Sequence, residues 1–123
     1  MISTFLKKAI EEARKSDHKH KIGAVIFNKK TIISIGRNYT TKSVKHLHPR
    51  FKKQYYNTVH AEVDAIIKAR RDIVGCSILI IRVNKKGDLL LAKPCDHCQT
   101  YINYVGLKTM CYSDDNVIRK VKL

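Results

Sequence analysis

The residues best suited to chemistry sit in two short stretches, Val59-His60-Ala61-Glu62 and Pro94-Cys95-Asp96-His97-Cys98. One imidazole and two thiolates form a ligand set for tetrahedral Zn²⁺, and three protein ligands leave the fourth position to water, as a catalytic zinc requires. Glu62 is then placed to move protons, and Ala61 keeps the wall between ligand and carboxylate small. His97 is read as pointing away, because Cys95 and Cys98 share one side of a helix and already satisfy the ligand spacing. Either half alone is a weak signal; the pair is a strong one.

His-x-Glu followed by Pro-Cys-x-x-Cys is the signature of zinc nucleobase deaminases, and the chain resembles the cytidine deaminase-like superfamily over most of its length. That resemblance implies one Zn²⁺ per chain, held by His60, Cys95 and Cys98, with Glu62 as the catalytic acid and base. The chemistry needs those types: zinc lowers the pKa of a bound water to about 7, and a carboxylate returns the proton to the ring and then to the leaving amine. The resemblance also gives Gly36-Arg37-Asn38 a substrate-binding role, Asn38 through the sugar. It further implies a homo-oligomer.

The elements that must position these residues read as a three-layer α-β-α fold, with a mixed central sheet of about five strands and the zinc site at two helix N-termini. A first helix, capped by Ser3 or Thr4, repeats Phe5, Leu6, Ala9, Ile10 and Ala13 at helical spacing, with Lys7, Lys8, Glu11, Glu12 and Arg14 outward. Residues 22–27 and 31–37 form an antiparallel pair about the turn Asn28-Lys29-Lys30. Gly23 marks a bulge or a close backbone approach. His60 opens the second helix, and 77–83 is an apolar strand buried on both faces, with Cys76 a small buried hydrophobe near its start. The third helix runs from Pro94, at a first helical position, to about Tyr104 and stops at Gly106. Residues 107–112 and 117–121 are the last strands, too close together for a crossover helix and therefore antiparallel. Within the superfamily that ending resembles the free-nucleoside branch.

At 123 residues the chain is expected to be one deaminase domain, 1–123, able to bury about two thirds of its unfolded surface. No apolar run approaches membrane-spanning length and no secretion signal opens the chain, so no membrane association and a cytoplasmic location are expected, with the 4 cysteines as thiols or ligands. The charge is lopsided: 25 Lys and Arg against 10 Asp and Glu give +15. Between Asp17 and Glu62 there is no carboxylate, while Lys19, Lys21, Lys29, Lys30, Arg37, Lys42, Lys45, Arg50, Lys52 and Lys53 supply cations. This 18–61 segment should attract phosphate, of a nucleotide or of single-stranded nucleic acid. It contains a long basic insertion, 39–59, whose His46 and His48 read as solvated or phosphate-facing and whose Tyr55 and Tyr56 offer stacking surfaces. His20, immediately before the 21–25 strand entrance, and Ala61, between ligand and carboxylate, are further substrate-binding candidates.

Departures from neighbouring branches narrow the substrate. Lys93 stands where typical tRNA adenosine deaminases show Glu, and Thr40 and Gln99 replace the Glu and Arg usual in free-cytidine enzymes. The chain also lacks the tryptophan on which single-stranded-DNA cytosine deaminases lean. The reading is hydrolytic deamination of cytosine to uracil in a phosphorylated (deoxy)nucleotide, dCMP-like. Alternatives are a cytosine or adenine deaminase of single-stranded nucleic acid or tRNA, a free cytidine deaminase, and a zinc-stabilised nucleic-acid-binding module without catalysis.

Overall fold

A computed structural model describes residues 2–17, 19–40 and 58–123. His18, His46, His48, Tyr55, Tyr56 and the cations Lys42, Lys45, Arg50, Lys52 and Lys53 lie outside the described residues. In chain order the elements are α1 (Ile2–Arg14), β1 (Lys21–Asn28), β2 (Thr31–Arg37), β3 (Tyr39–Thr40), β4 (Thr58–Val59) and α2 (Ala61–Ala69). They continue with β5 (Ser77–Val83), β6 (Leu89–Leu90), α3 (Asp96–Tyr104), β7 (Thr109–Asp114) and β8 (Val117–Lys122).

A six-stranded mixed sheet runs β2-β1-β5-β7-β8, with β6 added to the end of β5. β5 and β7 are parallel, because α3 lies in the crossover between them; the other pairs are antiparallel. The two-residue period of β1 and β5 divides the core. Ala24, Ile26, Ile78 and Ile80 pack under α2 and α3, while Val25, Leu79 and Ile81 pack under Phe5, Ala9 and Ala13 of α1. β5 is thus buried on both faces, as its almost continuous apolar run requires. The result is the expected three-layer arrangement.

Helices approach the sheet where the strands lack a side chain. A Cβ on Gly23 would stand 2.1 Å from the Ala9 carbonyl oxygen of α1, and one on Gly36 would stand 2.3 Å from the Ala65 nitrogen of α2. Close approach, not a bulge, explains Gly23; the register shift of β1 falls at Ile26/Phe27. β7 and β8 form a hairpin in which Asp114 pairs with Val117 and both turn residues have positive φ, Asp115 at 47° and Asn116 at 63°. Those angles match the right-handed twist of the strands.

Three local expectations change. α1 already begins at Ile2, so Ser3 and Thr4 lie inside its first turn and do not cap it. Glu12 does not face water: its side chain is 12% exposed and is bound by Arg37. The 39–59 insertion starts and ends in paired strands, Tyr39 opposite Val59 and Thr40 opposite Thr58. That ladder delivers the chain directly to His60. Among the described residues no helix is long and apolar enough to cross a membrane.

Candidate active site

α2 and α3 each present a candidate ligand at the N-cap. His60 caps α2 in an extended conformation (φ −78°, ψ 153°), and its carbonyl accepts the first helical bond from the Asp64 N–H at 2.9 Å. Cys95 does the same for α3 (φ −66°, ψ 168°), accepting from the Gln99 N–H at 2.8 Å. His60 makes no side-chain bond to cap its own helix, and its ring is turned across to the thiols carried by α3. Pro94 therefore precedes the cap and is not the first helical residue, because Cys95 must stay extended to bring its thiol across to α2. Cys98 lies one turn on, fully buried.

The ligand atoms of His60, Cys95 and Cys98 lie within 4.8 Å of one another. His60 Nδ1 is 3.0 Å from Cys98 Sγ and 3.9 Å from Cys95 Sγ, so Nδ1 is the nitrogen presented to the sulfurs. Tetrahedral zinc with ordinary Zn–N and Zn–S bonds sets such atoms about 3.5 Å apart, between the two observed separations. Among the described residues no other His, Cys, Asp or Glu joins the cluster, and His97 stays out of it. The donor set fits one zinc with an open position.

Electrostatics favour the same ion. The Cys95 thiol is held down at about 5, chiefly by hydrogen bonding with Cys98, against the opposing effect of its partial burial. Backbone hydrogen bonds from Cys98 and His97 and the nearby His60 assist, as expected of a cysteine at a helix N-terminus. Glu62 is the reverse case. At 4% exposure, burial pushes its carboxyl up to about 7; its own backbone hydrogen bond opposes this, and the negative charge of Cys95 adds to it.

A cavity of about 250 Å³ joins these groups, lined by His60, Glu62 and Cys95 with His20, Arg82 and Lys93 among its other walls. His20, a candidate from the sequence, lies on the wall of this cavity. Asn38, Ala61 and Arg37 do not line it. Asn38 is 4% exposed; its Oδ1 accepts from the Ile22 N–H at 3.0 Å and its Nδ2 donates to the His20 carbonyl at 2.5 Å, so its amide holds the backbone beside His20. Ala61 is buried in the core at the start of α2. Arg37 is turned away by strand alternation: Gly36 faces α2, so the Arg37 guanidinium lies toward α1, 2.7 Å from Glu12 Oε2. Its cavity is a different one, shared with Lys15, Asp17, Tyr39, Asp64 and Lys68.

Arg82 escaped the sequence reading. In an apolar strand an arginine looks like an edge or terminal residue, and only its approach to His20, 2.6 Å from Nη2 to Nδ1, reveals its place at the cavity. The one available signal was a lone cation in the run Ser77–Val83.

Residues 1–114 match the family model for the cytidine and deoxycytidylate deaminase zinc-binding region. The chain belongs to that family. An uncharacterized deaminase in the luxG 3' region of Aliivibrio fischeri is 29% identical over 119 residues, covering 90% of this chain and 74% of that protein. Among solved structures, a dCMP deaminase from the cyanophage S-TIM5, in complex with dCMP and dUMP, has a TM-score of 0.64 at 20% identity, covering 90% of this chain and 79% of that one. Cytidine deaminase from Burkholderia pseudomallei has a TM-score of 0.71 at 15% identity, covering 99% and 92%. These structures share the fold of this deaminase.

Proposed function

We propose that this deaminase hydrolyses the 4-amino group of a cytosine base in a phosphorylated (deoxy)nucleotide, dCMP-like, giving uracil and ammonia. The observation that carries the reading is that the His60, Cys95 and Cys98 cluster presents two of its members, with the buried Glu62, to one cavity whose other charged walls, Arg82 and Lys93, are cationic. The cyanophage relative, solved with dCMP and dUMP, supports a nucleotide.

His60 Nδ1 and the two sulfurs would hold zinc, which when bound acts as a Lewis acid and makes water a nucleophile near neutral pH. Glu62 takes the proton of the attacking water, passes it to ring N3, and completes proton transfer to the departing amine. A carboxyl poised at about 7 can both accept and return a proton under working conditions. The N-termini of α2 and α3 meet here and favour the developing negative charge. Asn38 acts at one remove, by fixing His20.

Free cytidine is the second reading, favoured by the antiparallel β8, the ending that resembles the nucleoside branch. Steady-state kinetics of the zinc-loaded protein on dCMP, CMP, cytidine, deoxycytidine and a short cytosine-containing single strand separate the readings. The proposal expects kcat/KM for a mononucleotide at least tenfold above that for its nucleoside. Equal values for dCMP and deoxycytidine would remove the phosphate from the account, and turnover of the strand alone would make a polymer the substrate. Tight, salt-sensitive binding of the strand without ammonia release would leave only a binding module.

A further inference from the structure

Arg82 is the one charged residue of β5, and both neighbouring strands fix its backbone: it stands opposite Ile22 of β1 and Leu90 of β6. A half-buried guanidinium needs a partner, and the one it has is unusual. Its Nη2 lies 2.6 Å from His20 Nδ1. A guanidinium can only donate, so the ring nitrogen facing it serves as the acceptor.

Such a partner orients the guanidinium without cancelling its charge. Arg37 and Arg119 differ, being bound by the carboxylates of Glu12 and Asp114. Among the described residues no carboxylate pairs with Arg82. It lines the same cavity as His60, Glu62, Cys95 and Lys93; the one carboxylate of that lining is Glu62, almost entirely buried. His20 is itself held, since Asn38 binds the His20 carbonyl and the Ile22 N–H.

We propose that Arg82, set in place by the Nδ1 acceptor of His20, is the phosphate-recognising residue of this cavity. The inference rests on the nucleotide reading above and adds the group that selects for it. A planar fork of donors matches a phosphate in a way that Lys93, an exposed point charge, cannot. His20 is a positioning residue: without its acceptor the guanidinium keeps its charge and loses its direction. The phosphate can be the monoester of a free nucleotide or a diester of a strand.

The test compares wild type, Arg82→Gln, Arg82→Lys and His20→Ala, at equal zinc content and with thermal unfolding recorded, on dCMP, deoxycytidine and a short cytosine-containing strand. Loss of a charge-assisted contact to phosphate predicts that Arg82→Gln raises KM for dCMP roughly 10- to 100-fold, with kcat changed less than about threefold and deoxycytidine unaffected. Arg82→Lys should recover part of that loss, and His20→Ala should raise the same KM by a smaller factor. A loss confined to the strand supports the same residue with the diester as its ligand. Equal losses on dCMP and deoxycytidine at full zinc content overturn the role of Arg82 while leaving the nucleotide reading in place. A wild-type enzyme indifferent to phosphate overturns the reading itself. Should Arg82→Gln fail to fold, Arg82→Lys decides alone, since unchanged KM for both dCMP and the strand overturns the proposal.

Discussion

Gly36 of β2 lies directly beneath Ala65 of α2, so close that a Cβ on Gly36 would meet the Ala65 backbone nitrogen at 2.3 Å and the Ala61 carbonyl oxygen at 2.7 Å. The first turn of α2, which carries His60 and Glu62, therefore rests on a strand position with no side chain. Helix and strand cannot part without moving one zinc ligand away from the two on α3.

Gly36→Ala should accordingly cost about 1–3 kcal/mol of stability and weaken zinc binding as well. Gly23→Ala is the control, since its clash is with Ala9 on the opposite face; it should destabilise comparably and leave zinc affinity unchanged in the folded protein. Urea unfolding and competition with a chelator read the two effects. Equal zinc loss in both variants would contradict the account.

Metal removal should expose one reactive thiol. Cys95 is exposed and held at about 5, whereas Cys76, Cys98 and Cys111 are buried, and the thiolate is the species that alkylates. After chelation, iodoacetamide should modify Cys95 first, at a rate nearly flat from pH 6 to 8, and added zinc should protect it. A rate climbing about tenfold per pH unit through neutrality would indicate an ordinary thiol. Peptide mapping by mass spectrometry identifies the residue.

Arg37 is paired with Glu12 and lies outside the lining of the cavity at His60 and Glu62. Burial works against the Glu12 carboxylate, but hydrogen bonds and charge from Arg37 and Lys15 prevail and hold its pKa below the usual value. A depressed carboxyl stabilises the fold above its unfolded pKa and loses that contribution as pH falls through the folded one. Arg37→Ala should cost about 0.5–1 kcal/mol at pH 7 and less at pH 3, with KM unchanged. Urea midpoints at the two pH values check this; a penalty independent of pH, or a large rise in KM, would put Arg37 back in the site.

The ligands were legible in the sequence because zinc demands particular atoms at particular spacings. His60, Cys95 and Cys98 announce themselves by type, and the helices that carry them by their periodicity. The burial of β5 on both faces followed from its almost continuous apolar run. The direction of Arg37 did not follow, because it depends on Gly36 facing α2, a contact between residues 29 apart in Gly36 and Ala65. Arg82 and His20 are 62 apart, and only the β1–β5 register brings them together. The contacts of Asn38 were hidden for the same reason: its amide meets the backbone of His20 and Ile22 through strand pairing.

The central claim is one zinc on His60, Cys95 and Cys98 with Glu62 as the proton carrier. Its most direct test is ammonia release from dCMP by wild type and Glu62→Gln, each with zinc measured on the same sample by atomic emission. The account predicts close to one zinc per chain in both proteins and a rate reduced roughly 10²- to 10⁴-fold in the variant. A fully loaded Glu62→Gln protein that deaminates as fast as wild type would contradict it.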